Sequence, residues 1–132
     1  MRTLAWLALV VATGCEKSGA PDLSSPSAAA RCQVAAVHAQ DLDQWEQCIH
    51  PEVRAELRAK LEKTLRRRPE TWVEAAKRMQ PLATVKDSDF TVEPMKPGRE
   101  RHGDSFAWFR FGEHEKTEVV RKDGRWYIVD PD

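Results

Sequence analysis

The chain has 132 residues, with 21 Lys+Arg against 21 Asp+Glu and 41% apolar residues. That length holds one domain with a modest core. The balance of charge argues against nucleic acid as the main partner, because such binding relies on a concentrated positive footprint.

Arg2 supplies a positive start, Leu4 to Ala12 is an unbroken apolar run, and Ala12-Thr13-Gly14-Cys15 closes it in small residues and a cysteine. This is the layout of a cleaved export signal. The run is far short of the roughly 20 residues that cross a bilayer, so it reads as a segment to be removed rather than a membrane helix. Its last four residues resemble the bacterial lipobox; Gly14 and Cys15 fit the pattern, and Ala12 stands where leucine is commoner. The resemblance implies cleavage of residues 1–14 and a lipidated Cys15 as the mature first residue, an anchor that is stable once two chains are attached. An ordinary secretory peptide with a free Cys15 is the alternative. Removing the leader takes away Arg2 and no acid, leaving 21 − 1 = 20 bases against 21 acids. Glu16 stands where an aspartate would signal inner-membrane retention. The expected place is therefore the outer membrane of a bacterial envelope, with the domain facing the periplasm or the exterior.

After Cys15, residues 16–27 are rich in Ser, Pro, Gly and Ala and read as a flexible tether to a single domain over 28–132. Ala28 to Ala39 carries Cys32, Ala35, Ala36 and Ala39 at helical spacing, flanked by Val34 and Val37. Asp41 is a good N-cap with Gln44 three residues on, opening a short helix with the stripe Leu42, Trp45, Cys48 and Ile49. Cys32 and Cys48 each lie eight residues from position 40, so an antiparallel helical hairpin brings them opposite one another for a disulfide. Two buried free thiols are the alternative. A zinc site with His38 or His50 has neither the spacing nor the ligand count.

Pro51 suits the first turn of a third helix whose Val53, Leu57, Leu61 and Leu65 face the core. On its outer face Glu56–Lys60 and Glu62–Arg66 are properly oriented i,i+4 pairs. Arg66-Arg67-Arg68 reads as a helix C-terminus complementing the macrodipole, with contact to anionic head groups as the alternative. Pro69 opens a fourth helix carrying Trp72, Ala75, Ala76 and Met79, and Pro81 ends it.

Beyond Pro81 the period becomes that of strands. Val85, Phe90 and Val92 suggest one strand ending at Pro94; Pro97-Gly98-Arg99 is a turn or loop. Phe106 to Phe111 and Glu115 to Lys122 form a pair joined through Gly112-Glu113-His114, and Asp123-Gly124 is a two-residue hairpin into Arg125 to Asp130. The expected class is α+β: three to four N-terminal helices packed on a curved, four-stranded antiparallel meander.

Asp41-Leu42-Asp43-Gln44-Trp45 and the closing Asp123-Gly124-Arg125-Trp126-Tyr127-Ile128-Val129 resemble the cone-shaped nuclear transport factor 2-like superfamily, including small bacterial lipoproteins of that fold. The resemblance covers about 28–130. It implies a pocket that binds a small apolar ligand, catalyses isomerisation or cyclisation, or is filled and inert. The chain departs from the fuller pattern in offering only about four strands.

Candidates for acid–base chemistry are His50, Asp104, His114 and Tyr127, and none of them forms a motif. There is no phosphate loop, nucleophile elbow or metal-ligand cluster in the sequence, so neither a cofactor nor a metal is expected. Trp45, Trp72, Trp108 and Trp126 fall on apolar faces, with core packing as the default. The functional version has Phe106, Trp108, Trp126 and Tyr127 lining a ligand pocket in the sheet. The sequence thus reads as a lipid-anchored, non-catalytic envelope module contacting a protein partner or a small apolar ligand. The alternative is a small isomerase, cyclase or hydrolase with a His/Asp pocket.

Overall fold

The computed structural model describes residues 21–129; the leader, Cys15 and the first part of the expected tether lie outside the described residues. Helix α1 (Pro26–Ala39) begins two residues before the expected start, and its N-terminus explains why. The Ser25 hydroxyl accepts from the Ala28 N–H at 3.2 Å, and Pro26 occupies the first turn, where an N–H has no helical partner to lose. Asp87 adds a second, distant cap by accepting from the Ser27 N–H at 3.0 Å, placing negative charge at the positive end of the helix. Bonds from the Ser27 side chain and backbone hold the Asp87 carboxyl below its ordinary range.

Leu23, within the stretch expected as tether, is buried, and its carbonyl accepts from the Trp126 N–H at 2.8 Å. The fold therefore takes in part of residues 15–27, because an apolar side chain there meets an unpaired strand edge. The buried stripe of α1 is Ala29, Ala30, Gln33, Val34, Ala36 and Val37. Ala35 and Ala39, expected on the inner face, are exposed. Val34 and Val37 offer more apolar surface than the alanines and set the rotation of the helix.

Asp41 caps α2 (Leu42–Gln47) as expected, accepting from the Gln44 N–H at 3.1 Å. Trp45, Cys48 and Ile49 are all buried. A disulfide joins Cys32 to Cys48 with the Cα atoms 6.4 Å apart, a closure worth about 3 kcal/mol in the chain-entropy model. Pro51 lies in a turn ahead of α3 (Arg54–Arg67) rather than in its first turn. That turn is closed instead by the Glu52 N–H donating to His50 Nδ1 and the Val53 N–H donating to the His50 carbonyl.

Leu57 and Leu61 pack against the core from one side, and no residue of α3 is fully buried. Glu56 pairs with Lys60 at 3.7 Å, but Glu62 pairs with Arg58, not Arg66. Arg58 faces α2, where Asp43 and Glu46 also reach it, so one guanidinium gathers three carboxylates. Arg66 and Arg67 close the helix, and Arg68 pairs with Glu70 and Glu74, as a C-terminal basic cluster should. Helix α4 (Thr71–Arg78) follows, with Trp72, Ala75 and Ala76 partly buried. Two short 3-10 turns, Gln80–Thr84 and Asp87–Asp89, then hold Leu82 and Val85 in the core, so Val85 is not part of a strand.

The sheet is an antiparallel meander of β1 (Thr91–Pro94), β2 (Ser105–Arg110), β3 (Lys116–Lys122) and β4 (Arg125–Ile128) in that spatial order. Asp123 and Gly124 take φ values of +54° and +80°, the type I′ geometry that matches strand twist. Ala107, Val119 and Ile128 stand in register on the inner face and are fully buried with α1 in the core. Phe106, Val120 and Tyr127 stand in register on the outer face. The outer edge of β4 is covered: Ile128 donates to the Cys48 carbonyl at 2.8 Å, and His50 donates to the Ile128 carbonyl at 2.9 Å. Helices N-terminal to an antiparallel sheet make the class α+β. Among the described residues no helix is long and apolar enough to cross a membrane.

Candidate functional site

The pairing of residues 48–50 with β4 carries the chain over the sheet edge and delivers His50 to the outer face. There its ring meets Tyr127 edge-on at 5.9 Å. His50 is only 2% exposed, and both ring nitrogens are engaged. Nδ1 accepts from the Glu52 N–H at 3.1 Å and Nε2 donates to the His102 carbonyl at 2.8 Å, which selects the Nε2–H tautomer. Next to it, His102 Nδ1 donates to Glu52 Oε1 at 2.6 Å, with Lys122 Nζ 4.0 Å from the other oxygen. The bond from His102 holds the Glu52 carboxyl below its ordinary value. Two imidazoles thus fasten the 50–53 turn to the loop between β1 and β2.

Between that fastening and the loop lies an open groove of about 440 Å³, within the roughly 300–1,000 Å³ typical of small-molecule sites. Phe106 and Val120 form its floor; Val53, Val129, Pro94 and Met95 supply apolar walls. Its carboxylates are occupied. Glu93 accepts from the Trp108 indole at 3.0 Å, Glu118 pairs with Lys116 at 2.9 Å, and Glu52 holds His102. Lys96 and Arg99 stand on the loop side.

The residues expected to line one pocket do not converge. Phe106 lines the groove, whereas Trp108 lies beside it with Lys116 over its ring at 5.7 Å. Tyr127 packs against His50 without lining the groove. Trp126 points to the opposite face and is buried in the core, because neighbours on a strand point to opposite sides. Of the acid–base candidates, His50 reaches the groove with no free nitrogen. Asp104 is paired with Arg121 at 2.8 Å outside it, and His114 is exposed in the β2–β3 loop.

Neither Glu52 nor His102 is a site candidate in the sequence. They stand 50 residues apart, and no local spacing signals their meeting. Chemically, the site offers an apolar floor and one carboxylate-oriented imidazole, but no hydroxyl or thiol side chain among the described residues that line it. No group of three or more His, Cys, Asp or Glu among the described residues could hold a metal ion. No protein-family model, curated protein or solved structure matches this chain.

Proposed function

We propose that this chain is a lipid-anchored, non-catalytic binding module of a bacterial cell envelope, taking a small, largely apolar ligand in the groove on the outer face of its sheet. The observation that carries the reading is that groove: half-buried Phe106, in register with buried Val120, lines it on the outer face, while Ala107, Val119 and Ile128 on the inner face are fully buried. The proposal includes the nuclear transport factor 2-like superfamily as its fold, with the helix-facing side of the sheet filled and the binding side turned outward. The anchor is the lipid on Cys15 and the membrane the outer one. Seven residues separate Cys15 from the buried Leu23, so the domain stays within about 30 Å of its anchor even with that stretch fully extended.

Two measurements test this. Metabolic labelling with a clickable fatty acid should tag the wild type and not Cys15→Ser, and the variant should leave the membrane fraction. An unlabelled wild type overturns the anchor. For the groove, a neutral naphthylamine dye should brighten on binding and should lose at least tenfold in affinity in Phe106→Glu, which puts a charge on the apolar floor. Unchanged binding in that variant overturns the groove.

A second reading rests on the Glu52–His102 pair. A carboxylate that fixes an imidazole through Nδ1 leaves Nε2 to move a proton, the arrangement an isomerase needs. Ligand turnover lost in His102→Gln, with binding kept, would favour it over the simple binding module.

A further inference from the structure

Lys96 and Arg99 are the groove's uncommitted charges. Both are exposed, and neither side chain makes a hydrogen bond or ion pair with another described residue. They occupy the first and fourth positions of one tight turn: the Arg99 N–H donates to the Lys96 carbonyl at 2.9 Å across Pro97-Gly98. The φ of +87° at Gly98 makes it type II, for which proline second and glycine third are the preferred residues. Glu100 steadies the turn by accepting from the Gly98 N–H at 2.8 Å, and it forms no ion pair with either cation. Two positive side chains therefore leave the backbone from points less than about 7 Å apart, on a turn stiffened by proline. The three carboxylates of the groove already have His102, Lys116 and the Trp108 indole as partners.

We propose that the groove binds a single-chain amphiphile with an anionic head, a carboxylate or phosphate monoester. Its chain lies on Phe106 and Val120, and its head is held between Lys96 and Arg99. The apolar floor and the paired cations stand side by side, which is the complement of such a molecule. Arg99 can meet a carboxylate or phosphate with two parallel N–H donors, and Lys96 adds a mobile point charge. This inference rests on the groove reading and names its ligand class.

The test uses the chain from Pro21 onward, which contains the whole core described above, with its melt and disulfide checked first. Bound naphthylamine dye is displaced by decanoate, decyl phosphate, decanol, decyltrimethylammonium or inorganic phosphate. Decanoate and decyl phosphate should displace it at about tenfold lower concentration than decanol, as two exposed charge pairs allow. Lys96→Gln with Arg99→Gln should erase that advantage and leave decanol unchanged. Equal displacement by all three head-group classes, or displacement by inorganic phosphate alone, overturns the anionic-head proposal while the groove stands. Failure of the dye to bind removes the groove and this inference with it.

Discussion

On the inner face of the sheet Ala107, Val119 and Ile128 are fully buried in the core with α1, while on the outer face Phe106 and Tyr127 are half-exposed and only Val120 is covered. The strands carry apolar residues on both sides, so hydrophobicity alone does not separate the two faces. What differs is the cover. The inner face meets a helix stapled by Cys32–Cys48, whereas the outer face meets two loops tied by His50 and by the Glu52–His102 pair. A helix closes a surface continuously; two loops tied at a few points leave a gap, and here the gap is the groove.

The largest expected effect tests that contrast directly. Ile128→Ala should lower unfolding free energy by about 2–5 kcal/mol, the range for large-to-small changes in a closed core. Phe106→Ala should lower it by only about 1 kcal/mol, since a half-exposed side chain forfeits part of its burial, yet it should weaken dye binding. Urea titrations of the two variants check this; equal losses would mean that the outer face is core and not a site. Next in size is the disulfide. Cys32→Ala with Cys48→Ala should lose about 3 kcal/mol and should leave groove affinity nearly unchanged in the fraction still folded, because the bridge lies on the helix side.

The same contrast explains what could be read from the sequence. The hairpin turn at Asp123-Gly124, the Asp41 cap and the cysteine pair are local or symmetric signals, and each appears where its chemistry requires. The site is a product of long-range pairing. Ile49 bridging to Ile128 brings His50 over the sheet edge, and only then do Glu52 and His102 meet. Strand alternation did contain one further signal: Trp126 and Tyr127 are adjacent and so cannot line one pocket, while Phe106 and Trp108 share a face. Arg99 is legible only as part of a Pro-Gly turn, and nothing local marks Lys96 or the groove beside them.

A smaller effect belongs to the inner face. Thr117 is 3% exposed on β3, and its Oγ1 has no hydrogen-bond partner among the described residues. Thr117→Val keeps the shape and removes the unsatisfied group, so it should raise stability by about 1 kcal/mol. A loss in thermal or urea unfolding would mean that the hydroxyl bonds a buried water.

The smallest effect separates the two faces by pH. Glu52 on the outer side is held below its ordinary 4.5 first by the bond from His102, and Asp87 on the helix side below its ordinary 3.8 first by Ser27. A carboxyl depressed by folding contributes stability that is fully present above its unfolded value and is lost as pH falls through the folded one. The difference in urea midpoint between wild type and Glu52→Gln should therefore shrink as pH falls below 4.5. For Asp87→Asn the decline should begin lower by 4.5 − 3.8 = 0.7 unit. Dye affinity should follow the Glu52 curve alone, because that carboxylate ties the groove's roof while Asp87 caps a helix beneath the other face. If acid weakened dye binding equally in wild type and Glu52→Gln, the His102 fastening would not be what holds the groove open.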